Sequence, residues 1–158
     1  MAECKPDLSN VSMLNPAGFK LSIIAQEFKF LEYFCVAASM PGVTQSAVAG
    51  TFRNQQYRIP GETVAYNSLS VTFIVDEEMK NYSEIFEWIK FNSCNDDLKY
   101  NDMTLSILSN QKSTNKQITF EGAIPVALSG IEFNVQNTDV EYVQCNVEFE
   151  YNSFSFVD

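Results

Sequence analysis

Between Leu69 and Ile89 the apolar pattern changes from the period of a strand to that of a helix, and this change constrains the fold more than any other feature. Leu69, Val71, Phe73 and Val75 alternate with Ser70 and Thr72, and Ile74 alone breaks the pattern, as expected of a strand with one buried side. Tyr82, Ile85, Phe86 and Ile89 then follow the i, i+3, i+4, i+7 rule of a helix with one apolar stripe. Asn81 with Glu84 three residues later reads as a capping box for the helix start. The expected core is therefore a sheet with one helix docked against it.

With 158 residues the chain has the size of one domain, large enough to bury a core without metals or bridges. The expectation is a single domain over residues 1–158, with 1–16 as a possible N-terminal arm. The sequence has no apolar run of the ~20 residues that span a bilayer. Its start lacks the basic-then-apolar order of a signal peptide, so a soluble product without a membrane anchor, made in a cytoplasm, is expected. Cys4, Cys35, Cys94 and Cys145 are widely separated and the chain has no histidine. No zinc site or other cofactor is expected, and the thiols read as buried and free. The missing histidine also removes the commonest general base and both Ser-His and Cys-His nucleophile pairs, so no enzyme is expected. Ten basic against twenty acidic residues give a formal charge of −10, which argues against tight binding to a phosphate backbone. Such a charge suits a solvated surface, or a wall past which a polyanion slides.

Phe19 to Ile23 alternates as a first strand, and a second runs from about Tyr33 to Ser39, stopped by Met40-Pro41-Gly42. From about 43 to 65 the chain makes a long excursion marked by Gly50 and Pro60-Gly61, read as a protruding loop or hairpin with short extended pieces. Loops longer than about 12 to 15 residues are uncommon unless they act, so this one is marked for interaction. Asn92 to Asp97 is a polar loop without the ligand spacing of a calcium loop. Met103, Leu105 and Ile107 pair in pattern with Ile118 and Phe120 across a polar turn at Asn110–Asn115. Gly122 and Pro125 bend the chain before an extended piece carrying Ile131, Phe133 and Val135. In the last strand Val143, Cys145, Val147, Phe149 and Tyr151 face one way and Gln144, Asn146, Glu148 and Glu150 the other. An ordinary solvent-facing sheet would show the same pattern.

Taken in order, Phe34-Cys35-Val36-Ala37-Ala38-Ser39-Met40-Pro41-Gly42, Phe52-Arg53, Ile59-Pro60-Gly61-Glu62 leading into Tyr66 to Phe73, then Asp76 and Trp88, resemble the tail tube family of contractile-tailed bacteriophages. The resemblance covers roughly Phe19 to Tyr151. It implies a mainly β fold, a β-sandwich or open barrel with one flanking helix at about 79–91. It further implies a virion protein whose subunits join sheets edge to edge into hexameric rings, which stack into a hollow tail tube that delivers DNA. Ser70, Thr72, Gln144, Asn146, Glu148 and Glu150 become candidate lumen-facing residues, past which DNA moves without specific binding. Phe52, Arg53, Tyr57 and Arg58 become the candidate contact between stacked rings. Sheath and baseplate or neck proteins are the implied partners, and the host bacterial cytoplasm the site of synthesis. The alternatives are a baseplate tube initiator or tail terminator of the same fold, a monomeric β-sandwich binding module with the loop as a pocket rim, and a catalyst built on Asp76, Glu77 and Glu78. The acidic triplet is more simply explained by its place just ahead of a helix N-terminus.

Overall fold

The computed structural model describes residues 16–24, 32, 34–94, 96–109, 112–135 and 141–157. The N-terminal arm up to residue 15, Cys4 and Tyr33 lie outside the described residues. The strands are β1 (Phe19–Ile23), β2 (Cys35–Ser39), β3 (Val43–Phe52), β4 (Gln55–Tyr66), β5 (Leu69–Ile74), β6 (Asn101–Leu108), β7 (Thr114–Leu128), β8 (Gln144–Glu150) and β9 (Ser153–Val157), with helix α1 (Lys80–Cys94) between β5 and β6.

A hydrogen-bonded path runs β1-β6-β7-β8-β5-β2, with β9 added beside β7, and all these pairs are antiparallel. Strand β7 belongs to two layers: its first part pairs with β6 and β9, and from Ile124 onward it pairs with β8. The change falls at Gly122, whose φ of +64° favours glycine. A Cβ there would also lie 2.6 Å from the Asn152 amide nitrogen. The two layers face each other across one core: Leu21, Met103, Ile118 and Phe120 from the first meet Leu69, Val71, Phe73, Val147 and Phe149 from the second. Each phenylalanine so buried contributes about 1.5–3 kcal/mol. Because β1 and β2 are not hydrogen-bonded to each other, the path stays open and does not close into a barrel.

Leu69, Val71 and Phe73 are fully buried, as their alternation requires. The helix departs from its expected pattern in three ways. It continues to Cys94, taking Asn92 and Ser93 out of the expected polar loop. Its buried face is Asn81, Ile85 and Trp88, while Phe86 turns to solvent at 53% exposure. Trp88 fills the place expected of Phe86, lying 6.0 Å from the Phe149 ring and donating its indole N–H to the Lys99 carbonyl at 3.0 Å. Asn81 forms no capping box with Glu84, because Lys80 is already helical. Its amide instead donates to the Ile74 carbonyl at 2.7 Å and accepts from the Asp76 backbone N–H at 3.2 Å, tethering the helix to the end of β5. The Ile131–Val135 segment, expected as a strand, pairs with no strand. A strand beyond Tyr151 was not expected, yet β9 closes on β7 from Gln117 to Glu121.

Replacing Asn81 by Ala leaves the Ile74 carbonyl and the Asp76 N–H without these partners and should cost about 1–3 kcal/mol in urea denaturation. Phe86→Ala should stay within about 0.5 kcal/mol. The reverse order would restore the stripe expected from the sequence.

Candidate functional site

The antiparallel register of β5 with β8 sets Ser70 opposite Glu148, Thr72 opposite Asn146, and Ile74 opposite Gln144. Since alternate residues share a face, Ser70, Thr72, Gln144, Asn146, Glu148 and Glu150 all lie on the outer side of one layer, away from the core. The structure thus brings together all six residues marked as lumen candidates. The face is tied by side-chain bonds: the Ser70 hydroxyl donates to Asn146 Oδ1 at 2.8 Å, and Thr72 donates to the same oxygen at 3.5 Å. Ser129 braces it from the side, its hydroxyl accepting the Asn146 backbone N–H at 2.8 Å and its own N–H donating to the Asn146 carbonyl at 2.8 Å. Ser39 on β2, opposite Ser70, and Ala127 on β7, opposite Glu148, extend the same face. They escaped the sequence reading because bulges at Cys35/Ala37 and Pro125/Ala127 interrupt the alternation of their strands. β2, β5, β8 and residues 124–128 of β7 carry no lysine or arginine, so the face presents hydroxyls, amides and carboxylates.

Of the loop or hairpin expected at about 43–65, the structure shows a β-hairpin with long continuous strands. Among the described residues β3 and β4 pair only with each other, from Val43↔Tyr66 to Phe52↔Gln55, with one irregularity after Gln45. Arg53 and Asn54 form the two-residue turn with φ of 44° and 66°, the left-handed pair that matches the twist of a tight hairpin. The glycines that looked like chain breaks are packing vacancies. A Cβ on Gly50 would lie 2.3 Å from the Tyr57 ring, and one on Gly61 would lie 2.2 Å from the Ser46 hydroxyl. Register puts Phe52 and Tyr57 on one face with Val48 and Ile59, and Arg58 on the other. The Arg53 guanidinium stands 5.5 Å over the Phe52 ring. Three of the four candidate contact residues therefore share the tip region of one face, and Arg58 flanks them. Every residue from Val43 to Tyr66 except Gly50 and Gly61 is exposed. At the base, Tyr66 packs against Tyr151 and Phe154 with ring centroids 6.0 and 5.5 Å away, and the Tyr151 hydroxyl donates to the Asn67 carbonyl at 2.8 Å.

Asp76, Glu77 and Glu78 lie in the turn before α1, as expected. The Asp76 carboxylate accepts the Glu77 N–H at 2.9 Å, and Glu78 pairs with Lys80. Among the described residues no group of Cys, Asp and Glu could hold a metal ion. Cys145 is buried and Cys35 half-buried, but Cys94 is exposed at the helix end, against the expectation of buried thiols. Burial pushes the Cys35 thiol up to about 11.

This is an open two-layer β fold with an exposed hairpin that pairs with no other strand among the described residues and one polar face free of lysine and arginine. A family model described as phage tail tube protein matches residues 5–157, and the chain belongs to that family. It is a structural protein, a component of a virion or phage-like particle, and not an enzyme. Among solved structures it is similar to the anti-feeding prophage cap, a tube terminating cap (TM-score 0.71, 14% identity, covering 99% of each chain). It is also similar to a chain in the sheath/tube terminator of the PVC extracellular contractile injection system (TM-score 0.70, 14% identity, 94% of this chain and 99% of that one). A chain of the PVC sheath-tube complex matches with a TM-score of 0.67 at 15% identity, over 92% of this chain and 91% of that one. At these identities the likeness shows the fold. No curated protein matches the chain. No helix among the described residues is long and apolar enough to cross a membrane.

The thiols give a direct check of this arrangement, since the thiolate is the reactive form and a raised value withholds it. At neutral pH a maleimide should label Cys94 rapidly and leave Cys35 and Cys145 unmodified, with Cys35 reacting only as the pH approaches about 11 or the chain unfolds. Peptide mapping that found Cys35 labelled as fast as Cys94 would contradict its burial.

Proposed function

We propose that this chain is the repeating subunit of a hollow tail tube. Six copies close into a ring, rings stack, and DNA is delivered through the lumen without specific binding. The observation that carries this reading is the pair of free edges on the layer β7-β8-β5-β2. Its outer strands, β2 and residues 124–128 of β7, each lack a neighbour on one side among the described residues. Open edges are a liability for an isolated chain, and joining β2 of one copy to β7 of the next removes both at once. Pro125, which has no N–H to give, is tolerated at such an edge or bulge. Ring closure turns the face of Ser70, Thr72, Asn146 and Glu148 into a continuous lumen wall. Its carboxylates and the absence of lysine and arginine keep a polyanion from adhering.

The hairpin supplies the contact between rings. A two-stranded ribbon with so much exposed apolar surface is marginal by itself, and Phe52, Tyr57 and the arginines are the residue types that anchor interfaces. The whole chain, 1–158, acts as one tube domain, made in the host bacterial cytoplasm. A sheath outside the tube and baseplate or neck proteins at its ends are its partners; the likeness to a chain of a sheath-tube complex supports this. A second reading, a terminator closing one end of the tube, is favoured by the likeness to two terminator chains.

Two variants separate the roles. Glu148→Lys with Glu150→Lys should leave assembly intact and hinder DNA passage, read as loss of infectivity in particles of normal appearance. Phe52→Ala with Arg53→Ala should reduce sedimenting tubes while the urea midpoint moves little. Normal infectivity of the first would remove those residues from the lumen, and full tube formation by the second would remove the hairpin from the stack.

A further inference from the structure

Both arginines of the chain, Arg53 and Arg58, lie in the distal half of the hairpin, and the only acidic residue from Val43 to Tyr66 is Glu62. In a chain of formal charge −10 the hairpin is therefore a cationic projection with an apolar face. A surface of the opposite character lies elsewhere on the same molecule. Where β5 ends at Ile74 and β8 begins at Gln144, an apolar hollow of about 620 Å³ opens to solvent. Its lining includes the apolar side chains Ile74, Met79 and Phe133 and the carboxylates of Asp76, Glu77 and Glu141. Phe133 and Tyr142, both in its lining, are each 76% exposed.

The two features sit at opposite ends of one strand. The hairpin leaves the sheet after Ser39 and returns to it before Leu69, at the N-terminal end of β5; the hollow lies at the C-terminal end of the same strand. Six residues of strand separate them by roughly 20 Å. The hairpin adds about 30 Å of ribbon at the other end, so its tip lies far from the hollow of its own chain.

We propose that this hollow, whose lining carries three carboxylates, is the socket for the hairpin tip of a second copy of this chain. Phe52 and Tyr57 pack against its apolar lining, the Arg53 guanidinium that stands over Phe52 meets the carboxylates of Asp76, Glu77 and Glu141, and Arg58, on the opposite face of the ribbon, adds positive charge at the margin. The inference rests on the stacking role given to the hairpin above and names its receiving site. Because plug and socket are different patches, the contact is heterologous: each copy that receives a hairpin still offers its own, and the assembly extends head to tail. Charge complementarity sets the orientation and suppresses a reversed encounter.

The test mixes two variants in a Cys94→Ser background, Phe52→Cys and Tyr142→Cys, at rising concentration under mild oxidation. Both positions are exposed, so neither change disturbs the core. The expected result is a mixed disulfide between copies, well above the yield of either variant alone. Adding Arg53→Glu and Arg58→Glu to the hairpin variant should lower that yield about tenfold. Placing Glu77→Arg and Glu141→Arg on the socket variant should recover it. Tubes without the mixed disulfide would overturn the socket and leave the tube reading standing. The mixed disulfide without rings would support the socket and overturn the ring. No association at any concentration would overturn both.

Discussion

The antiparallel pairing of β5 with β8 is the interaction on which the rest depends. Its register directs Val71, Phe73, Val147 and Phe149 into the core and Ser70, Thr72, Asn146 and Glu148 outward. A slip of one residue would turn the phenylalanines to solvent and bury the carboxylate. Burial of the apolar side therefore fixes the composition of the polar side, and the face proposed as a lumen wall comes with the core at no separate cost. The Asn146 bonds to Ser70 and Ser129 add local rigidity to a register already set by hydrophobic burial.

Strand β7 makes this pair part of a two-layer fold. By crossing at Gly122 it carries the chain from the layer of β6 and β9 to that of β8. The backbone N–H of Gly122 donates to the Asp102 carboxylate at 2.9 Å, which pins the crossing to β6. Helix α1 is fastened at both ends by side-chain amides: Asn81 holds the carbonyl of Ile74, and Asn92 accepts the Lys99 N–H at 2.9 Å. What this arrangement leaves unfilled is consistent in kind. The edges of the outer layer, the apolar face of the hairpin and the hollow beyond Ile74 all lack partners within the described residues, and the proposed assembly pairs each with another part of the same chain.

Strands β1, β5, β6 and β8 were legible because each has one wet side, which imposes a clean period of two. That period set Ser70 and Thr72 on one side of their strand and Gln144, Asn146, Glu148 and Glu150 on one side of theirs; joining the six into one face came from the family resemblance. The helix was legible as an element and wrong in detail: sequence spacing could not choose between Phe86 and Trp88 for the buried stripe, since both fit a helical period. That choice depends on Phe149, which is distant in sequence. Residues 43–65 were legible only as a loop or a hairpin with short extended pieces, because Gly50, Pro60 and Gly61 normally interrupt strands. Here the glycines admit Tyr57 and Ser46, a cross-strand packing that no local rule contains. Strand β9 alternates Phe154 and Phe156 with serines and could have been found; the turn at Asn152 made Tyr151 look like the end of the sheet. The hollow was invisible, because Ile131 and Phe133 looked like strand residues and Asp76 and Glu77 like helix-end charges.

In the proposed tube the free edges of β2 and β7 join between copies with the polar face inward. Electron microscopy of the purified protein at rising concentration, carried to a resolution that traces strands, tests it most directly. The account predicts hollow rings of six copies in which β2 of each subunit pairs with residues 124–128 of the next, and Glu148 and Glu150 line the bore. Persistent monomers at high concentration, or rings whose β5–β8 polar face looks outward, would contradict it.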